Sequence, residues 1–215
     1  MKKVIQTFII IISALFYFPA LGEQVRQLSW EDLVPAHLLS EDPFANLPKG
    51  QRNMVYWVIL TLDKLPERGP ETEGYYKEID KIIAKLKKSG IDITELMAKR
   101  ERLRTAIVEE LNGQRVRIPG YLLPLEMSDT KVKEFLLVPY IGACIHVPPP
   151  PPNQIVHVKI VQKEGYRIKT LYEPVWVSGE ISVKSMVKDL YLVDGSSGVD
   201  IGYSMQANRI EPYKE

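Results

Sequence analysis

The sequence predicts an α+β fold, a helical hairpin in the N-terminal half followed by a small antiparallel β-barrel. Three observations carry this expectation. Apolar residues recur at three- and four-residue spacing from Tyr75 to Leu111, the period of an amphipathic helix. From Gln114 onward the pattern becomes short runs rich in Val, Ile, Leu and Phe, partly alternating with polar residues. The turn-forming stretches "EMSDT", "KEGY" and "DGSSG" separate those runs.

Ahead of the hairpin, the chain opens "MKKVIQTFIIIISALFYFPALGEQ". Lys2 and Lys3 precede an apolar run from Phe8 to Phe18, and Ala20 and Gly22 are small residues suited to a cleavage site. This is the anatomy of a secretory signal peptide, and the run is short for a membrane span. An uncleaved anchor is the other reading. The expectation is cleavage near Gly22, a periplasmic location and no membrane span afterwards. No cysteine stands at the expected cleavage point, so no lipid is expected at the new N-terminus. The resulting division is residues 1–22 as signal peptide, 23–112 as a helical region and 113–215 as the barrel. Removing residues 1–22 takes away two lysines and no acid, turning a formal charge of +1 into −1. A near-neutral chain offers no electrostatic case for nucleic acid as partner.

In the lead-in, Ser29 and Asp32 stand at capping-box spacing, and Trp30 and Leu33 are placed to pin the segment to the body. Residues 53–65 are apolar on most sides and read as a buried helix, with a strand as the alternative. The first hairpin helix carries Tyr75, Tyr76, Ile79, Ile82, Ile83 and Leu86 as its stripe, and Gly90 ends it. Asp92 and Glu95 begin the second, whose stripe is Leu96, Leu103, Ile107 and Leu111, ending at Asn112-Gly113. The "KRERLR" charges between are expected to be solvated surface, with a partner-binding face as the alternative.

Strands are expected in residues 114–126, 131–140, 154–162, 174–183 and 202–213. Val116, Ile118 and Leu122 alternate in the first, and Val175, Val177 and Ile181 in the fourth. Gly120 and Gly179 interrupt those two where a small barrel needs sharp bends. Five short coiled strands of this kind suggest an open barrel of the oligonucleotide/oligosaccharide-binding (OB) type.

The chemistry-bearing residues cluster in "FLLVPYIGACIHVPPPPPNQIVHV", which holds the single cysteine, Cys144, and two of three histidines, His146 and His157. In an extended chain Cys144 and His146 share one face. Thiolate and imidazole suit zinc or copper, with His157 as a third ligand and His37 or Glu126 as further candidates. A cysteine nucleophile is the alternative, with His146 as base and Asn153 orienting it. A buried, inert thiol is the third reading. The five prolines, Pro148, Pro149, Pro150, Pro151 and Pro152, favour a polyproline II rod of about 15 Å. Lying between two apolar strands, the rod reads as a stiff crossover against Tyr140, Trp176 and Tyr203. Tyr140, the prolines, Asn153, Gln154 and Trp176 form the candidate interaction edge.

The segments "LSWEDLVP", "LNGQRVRIPGYLLPLE", "EFLLVPYIGACIHVPPPPPNQIV" and "PVWVSGEI" together resemble an uncharacterised family of bacterial exported proteins, a domain of unknown function. The likeness runs from about Trp30 to Tyr213. It implies a periplasmic protein or lipoprotein, some members being encoded beside ABC transporters tied to zinc or other metal supply. The expected function is thus a non-enzymatic binding or accessory protein of a metal-linked ABC transport system, with zinc the implied cofactor. A cysteine-dependent envelope enzyme and a purely structural interaction protein are the alternatives.

Overall fold

The computed structural model describes residues 25–125, 127–128, 131–143, 149–192 and 195–213. The expected signal peptide, Glu126, Cys144, His146 and Pro148 lie outside the described residues. The described residues are mixed α/β, with three helices and a large mixed sheet. No helix among the described residues is long and apolar enough to cross a membrane.

Strand β1 (Arg26–Gln27) leads through 3-10 turns at Glu31–Leu33 and Ala36–Leu38 into the helices. Asp32 accepts hydrogen bonds from the Ser29 backbone N–H (2.7 Å) and hydroxyl (2.8 Å), which is one half of a capping box; the Ser29 hydroxyl is a donor to Asp32 and does not cap the turn. Leu33 is fully buried and Trp30 packs against the sheet core. Helix α1 (Lys49–Lys64) is less enclosed than its composition predicts. Val55, Val58 and Ile59 are buried, whereas Tyr56, Trp57 and Leu60 are exposed, because among the described residues the other helices cover one side of α1. Helix α2 (Glu73–Lys88) buries Ile79 and Leu86, but Tyr75 projects into solvent at 65% exposure. Gly90, at φ 81°, lets the amides of residues 89–91 return to the last carbonyls of α2.

Asp92 caps helix α3 (Ile93–Thr105), its carboxylate accepting from the amides of Thr94 (2.9 Å) and Glu95 (3.2 Å). The helix ends seven residues before the expected Asn112, and the chain turns extended at Ala106. Tertiary bonds override the helical period there. The Tyr203 hydroxyl takes the amide of Val108 (2.7 Å), and Ile107 and Val108 join the sheet core.

After a 3-10 turn at Glu109–Leu111 come β2 (Arg115–Pro124), β3 (Met127–Ser128), β4 (Lys131–Val132) and β5 (Glu134–Val138). A 3-10 turn at Pro152–Gln154 leads to β6 (Val156–Ile160), β7 (Tyr166–Arg167), β8 (Pro174–Leu192) and β9 (Gly195–Pro212). Strands β3, β4 and β7 form a small separate sheet. The main sheet runs β1-β2-β5-β6-β9-β8, and β8 also pairs with β2, so the ladder returns to its second strand. The all-antiparallel expectation is corrected: β1 with β2 and β6 with β9 are parallel. The long connection from β6 to β9, which contains β8, is what permits a parallel pair.

Inside this circuit lie Val116, Ile118, Leu122, Phe135, Leu137, Val156, Val158, Val175, Val177, Ile181 and Met205, matching the alternation read in the sequence. A second cluster covers the other face of β5. There Leu136, Val138 and Ile155 meet Leu190, Val199 and Ile201 from the far halves of β8 and β9. These strands therefore extend well beyond the expected limits and form a long hairpin. A register shift between Val183 and Met186 bends it back, far enough for Lys188 to reach Glu134 at the start of β5. Covered on both faces, β5 is a continuous apolar run instead of an alternating one.

Candidate functional site

Gln154, directly after the proline run, donates from its side-chain amide to the Trp30 carbonyl (2.9 Å) and so fixes the lead-in beside β2. Trp30 can settle there because position 120 is glycine. A Cβ on Gly120 would stand 2.9 Å from Trp30 Cζ2 and 2.8 Å from Leu137 Cγ, too close for any side chain. The result is an open groove of about 220 Å³ lined by Trp30, Pro119, Gly120, Tyr121, Pro139, Pro174 and Tyr213. Among the described residues its lining is aromatic rings, prolines and a glycine, with no charged side chain.

Trp176 buttresses one wall. Its ring centroid lies 5.5 Å from that of Tyr213, and the Arg117 guanidinium sits 4.4 Å from the Trp176 centroid on the cation–π side. Arg117 also reaches Glu211 at 3.5 Å, and Arg209 reaches the same carboxylate at 2.9 Å. Among the described residues, the indole N–H of Trp30 and the hydroxyls of Tyr121 and Tyr213 make no hydrogen bond.

The residues singled out in the sequence fall elsewhere. Asn153 is 1% exposed, and its Nδ2 donates to the carbonyls of Leu103 (2.8 Å) and Ala106 (2.9 Å) at the end of α3. His157 is buried on β6, under the hairpin. Its Nε2 lies 3.1 Å from Glu134 Oε2, and since a carboxylate only accepts, that nitrogen carries the proton. Burial lowers the His157 pKa, against the opposing pull of Glu134, so the ring is neutral near pH 7. Burial also works to raise the Glu134 carboxyl, but hydrogen bonds from Lys159 (3.0 Å) and His157, with the charge of Lys188 (3.5 Å), hold it below the usual range.

Of the proline run, Pro149 is exposed and Pro150 buried. Pro151 is extended (φ −61°, ψ 153°), as a polyproline II rod requires, but Pro152 already belongs to the turn leading to β6. Tyr140 is 42% exposed next to the groove residue Pro139. Tyr203 is wholly buried, its hydroxyl donating to the Leu33 carbonyl (2.7 Å). His37 lines a larger cleft of about 510 Å³ with Arg26, Glu31, Asp32, Glu109 and Glu110. The Ser29 amide, followed by the Ser29 hydroxyl and Arg26, keeps the Asp32 carboxyl low against the effect of burial. Among the described residues no group of three or more His, Cys, Asp or Glu side chains is placed to hold a metal ion.

The sequence profile of a family described as "Protein of unknown function (DUF3299)" matches residues 30–212. The chain belongs to the DUF3299 family. A DUF3299 family protein from Pseudomonas aeruginosa, known from its crystal structure, is 34% identical, with 89% of this chain and 98% of that one covered and a TM-score of 0.52. No curated protein matches the chain. The family match takes in every groove residue except Tyr213, which follows its last position directly.

In the sequence Trp30 reads only as an anchor, and Tyr121, Pro139, Pro174 and Tyr213 do not stand out as site residues. The available signal was proline beside an aromatic or glycine at three separated places: Pro119-Gly120-Tyr121, Pro139-Tyr140 and Pro212-Tyr213.

Proposed function

We propose that this DUF3299 protein is an exported, non-enzymatic binding or accessory protein of the bacterial envelope, serving a metal-linked ABC transport system through the aromatic groove. The observation that carries the reading is the groove itself, open and aromatic, with three polar tips unengaged among the described residues. Such a surface recognises ligands by stacking and a few oriented hydrogen bonds. The side chains offered for chemistry point the same way. Asn153 holds the end of α3, and His157 is buried against Glu134. In the cysteine-enzyme alternative Asn153 would orient a base through its side-chain oxygen; here the residue is 1% exposed and its Nδ2 is committed to the end of α3.

An OB-like barrel is the architecture proposed for the sheet. In its favour are the circuit β2-β5-β6-β9-β8-β2 and the parallel pairing of β6 with β9. Barrels of this type commonly bind on the outer face of their second and third strands. Here the equivalents, β5 and β6, lie beneath the β8–β9 hairpin, which shifts attention to the groove. Periplasmic export is supported by the basic and apolar N-terminal sequence. The transporter link and zinc rest on the family resemblance.

A photo-crosslinking residue at position 213, with a control at Lys188, tests the reading in living cells. The expected product at position 213 joins the protein to a transporter membrane subunit identified by mass spectrometry. No such product, or equal yields at both positions, overturns it.

A further inference from the structure

We infer that the groove binds an extended, proline-rich segment of a partner protein in the polyproline II conformation. This rests on the groove being the binding site proposed above and names the chemistry of its ligand. Trp30, Tyr121 and Tyr213 supply π faces, and three prolines with Gly120 complete an uncharged lining. An indole N–H only donates, and a phenol readily donates. Among the described residues these three tips are not in hydrogen bonds, so the aromatic residues of the lining keep their donors uncommitted.

A polyproline II strand has the complementary character. It forms no internal hydrogen bonds, its carbonyls project as free acceptors, and its prolyl residues have no N–H to satisfy. Its rings pack on aromatic faces, and its stiffness lowers the entropy lost on binding. A charged ligand finds no counter-charge in this lining. An oligosaccharide, whose hydroxyls need acceptors as well as donors, finds no carboxylate or amide side chain among the described residues of the lining.

The described prolines of the chain's own run, Pro149 to Pro152, are not the occupant. Pro150 is buried, the Pro152 carbonyl lies against Gly202, and Asn153 ties the following turn to α3. The same embedding holds in a second copy, so the segment comes from another protein.

Calorimetric titration of the purified protein with end-blocked octaproline, a Gly-Ser octapeptide and chitohexaose tests the inference. Octaproline is expected to bind, and the Gly-Ser peptide to bind about tenfold more weakly or not at all. Tyr213→Ala should weaken octaproline binding about tenfold, and Tyr213→Phe, which keeps the π face but removes the donor, about threefold. Lys188→Ala should bind like wild type. Tyr121→Ala provides a second groove variant, and melting curves confirm that each variant folds. Absence of octaproline binding at millimolar concentration, or binding indifferent to the Tyr213 variants, overturns the inference. Chitohexaose binding that depends on Tyr213, without octaproline binding, overturns the peptide while leaving the groove as the site. If neither ligand binds and position 213 yields no transporter crosslink, both the peptide and the groove fall.

Discussion

Asn153 shows how far a residue's chemistry depends on what folds around it. In the sequence it follows the proline run nine residues after Cys144, the right type to orient a catalytic histidine. In the fold it satisfies two part-buried carbonyls at the end of α3. Replacing it by alanine should cost about 1–3 kcal/mol of stability, the usual range for removing a buried hydrogen-bonding side chain and leaving its partners unpaired. Urea unfolding reads this directly, and an unchanged midpoint would return Asn153 to the catalytic candidates. Tyr203 plays a similar part, joining Leu33 and Val108 through one hydroxyl. Burial pushes that hydroxyl's pKa up to about 12, so it stays a donor at any ordinary pH.

Among the elements, the β8–β9 hairpin departs most from expectation. Its far half carries the polar run "KSMVKDLYL", which hides the fact that Leu190 is an inward residue. Leu190, Val199 and Ile201 cover Leu136, Val138 and Ile155, and the same cover shuts His157 away from water. Leu190→Ala should therefore have two effects. Stability should drop by about 2–4 kcal/mol, as for other buried leucines cut to alanine. The His157 ring, given back some water, should titrate closer to its ordinary value of 6.5, which NMR of the ring protons would reveal. Loss of stability with no movement of the His157 titration would mean that the hairpin is not its cover. The Lys188–Glu134 contact adds little to this, since exposed ion pairs contribute at most about 1 kcal/mol.

The whole molecule inherits a pH dependence from that region. The folded pKa of His157 is depressed, so above pH 6.5 the ring is neutral in both states and folding loses nothing. As the pH falls below 6.5 the unfolded chain takes up the proton first, and stability declines until the folded-state pKa is passed. The folded pKa of Glu134 is also depressed. Its contribution is complete above the ordinary carboxyl value of 4.5 and disappears as the pH falls through the lower folded value. Melting temperatures across this range should show decline starting near pH 6.5, and His157→Gln should remove that first portion while keeping the acid-side loss. An identical profile in the variant would assign the decline to other groups.

Much of the fold was legible from local rules. The Asp92 cap, the Gly90 terminator, and the alternation of Val116, Ile118 and Leu122 depend on spacing and backbone conformation, and these survive whatever the chain packs against. The sequence by itself also determined that a glycine interrupts the first long strand and that proline follows proline before Asn153. Tertiary structure alone decided where α3 stops, which strands run parallel, how far the hairpin extends and what fills the second face of β5. It also decided the candidate site. Trp30, Gly120, Pro139, Pro174 and Tyr213 stand far apart in the chain, and no periodicity relates them. They meet because Gln154 holds the Trp30 carbonyl, Gly120 leaves room for its ring, and the paired ends of β8 and β9 carry Pro174 and Tyr213 to the same place. A groove of this kind is a product of long-range closure, and closure leaves no local signature in the chain.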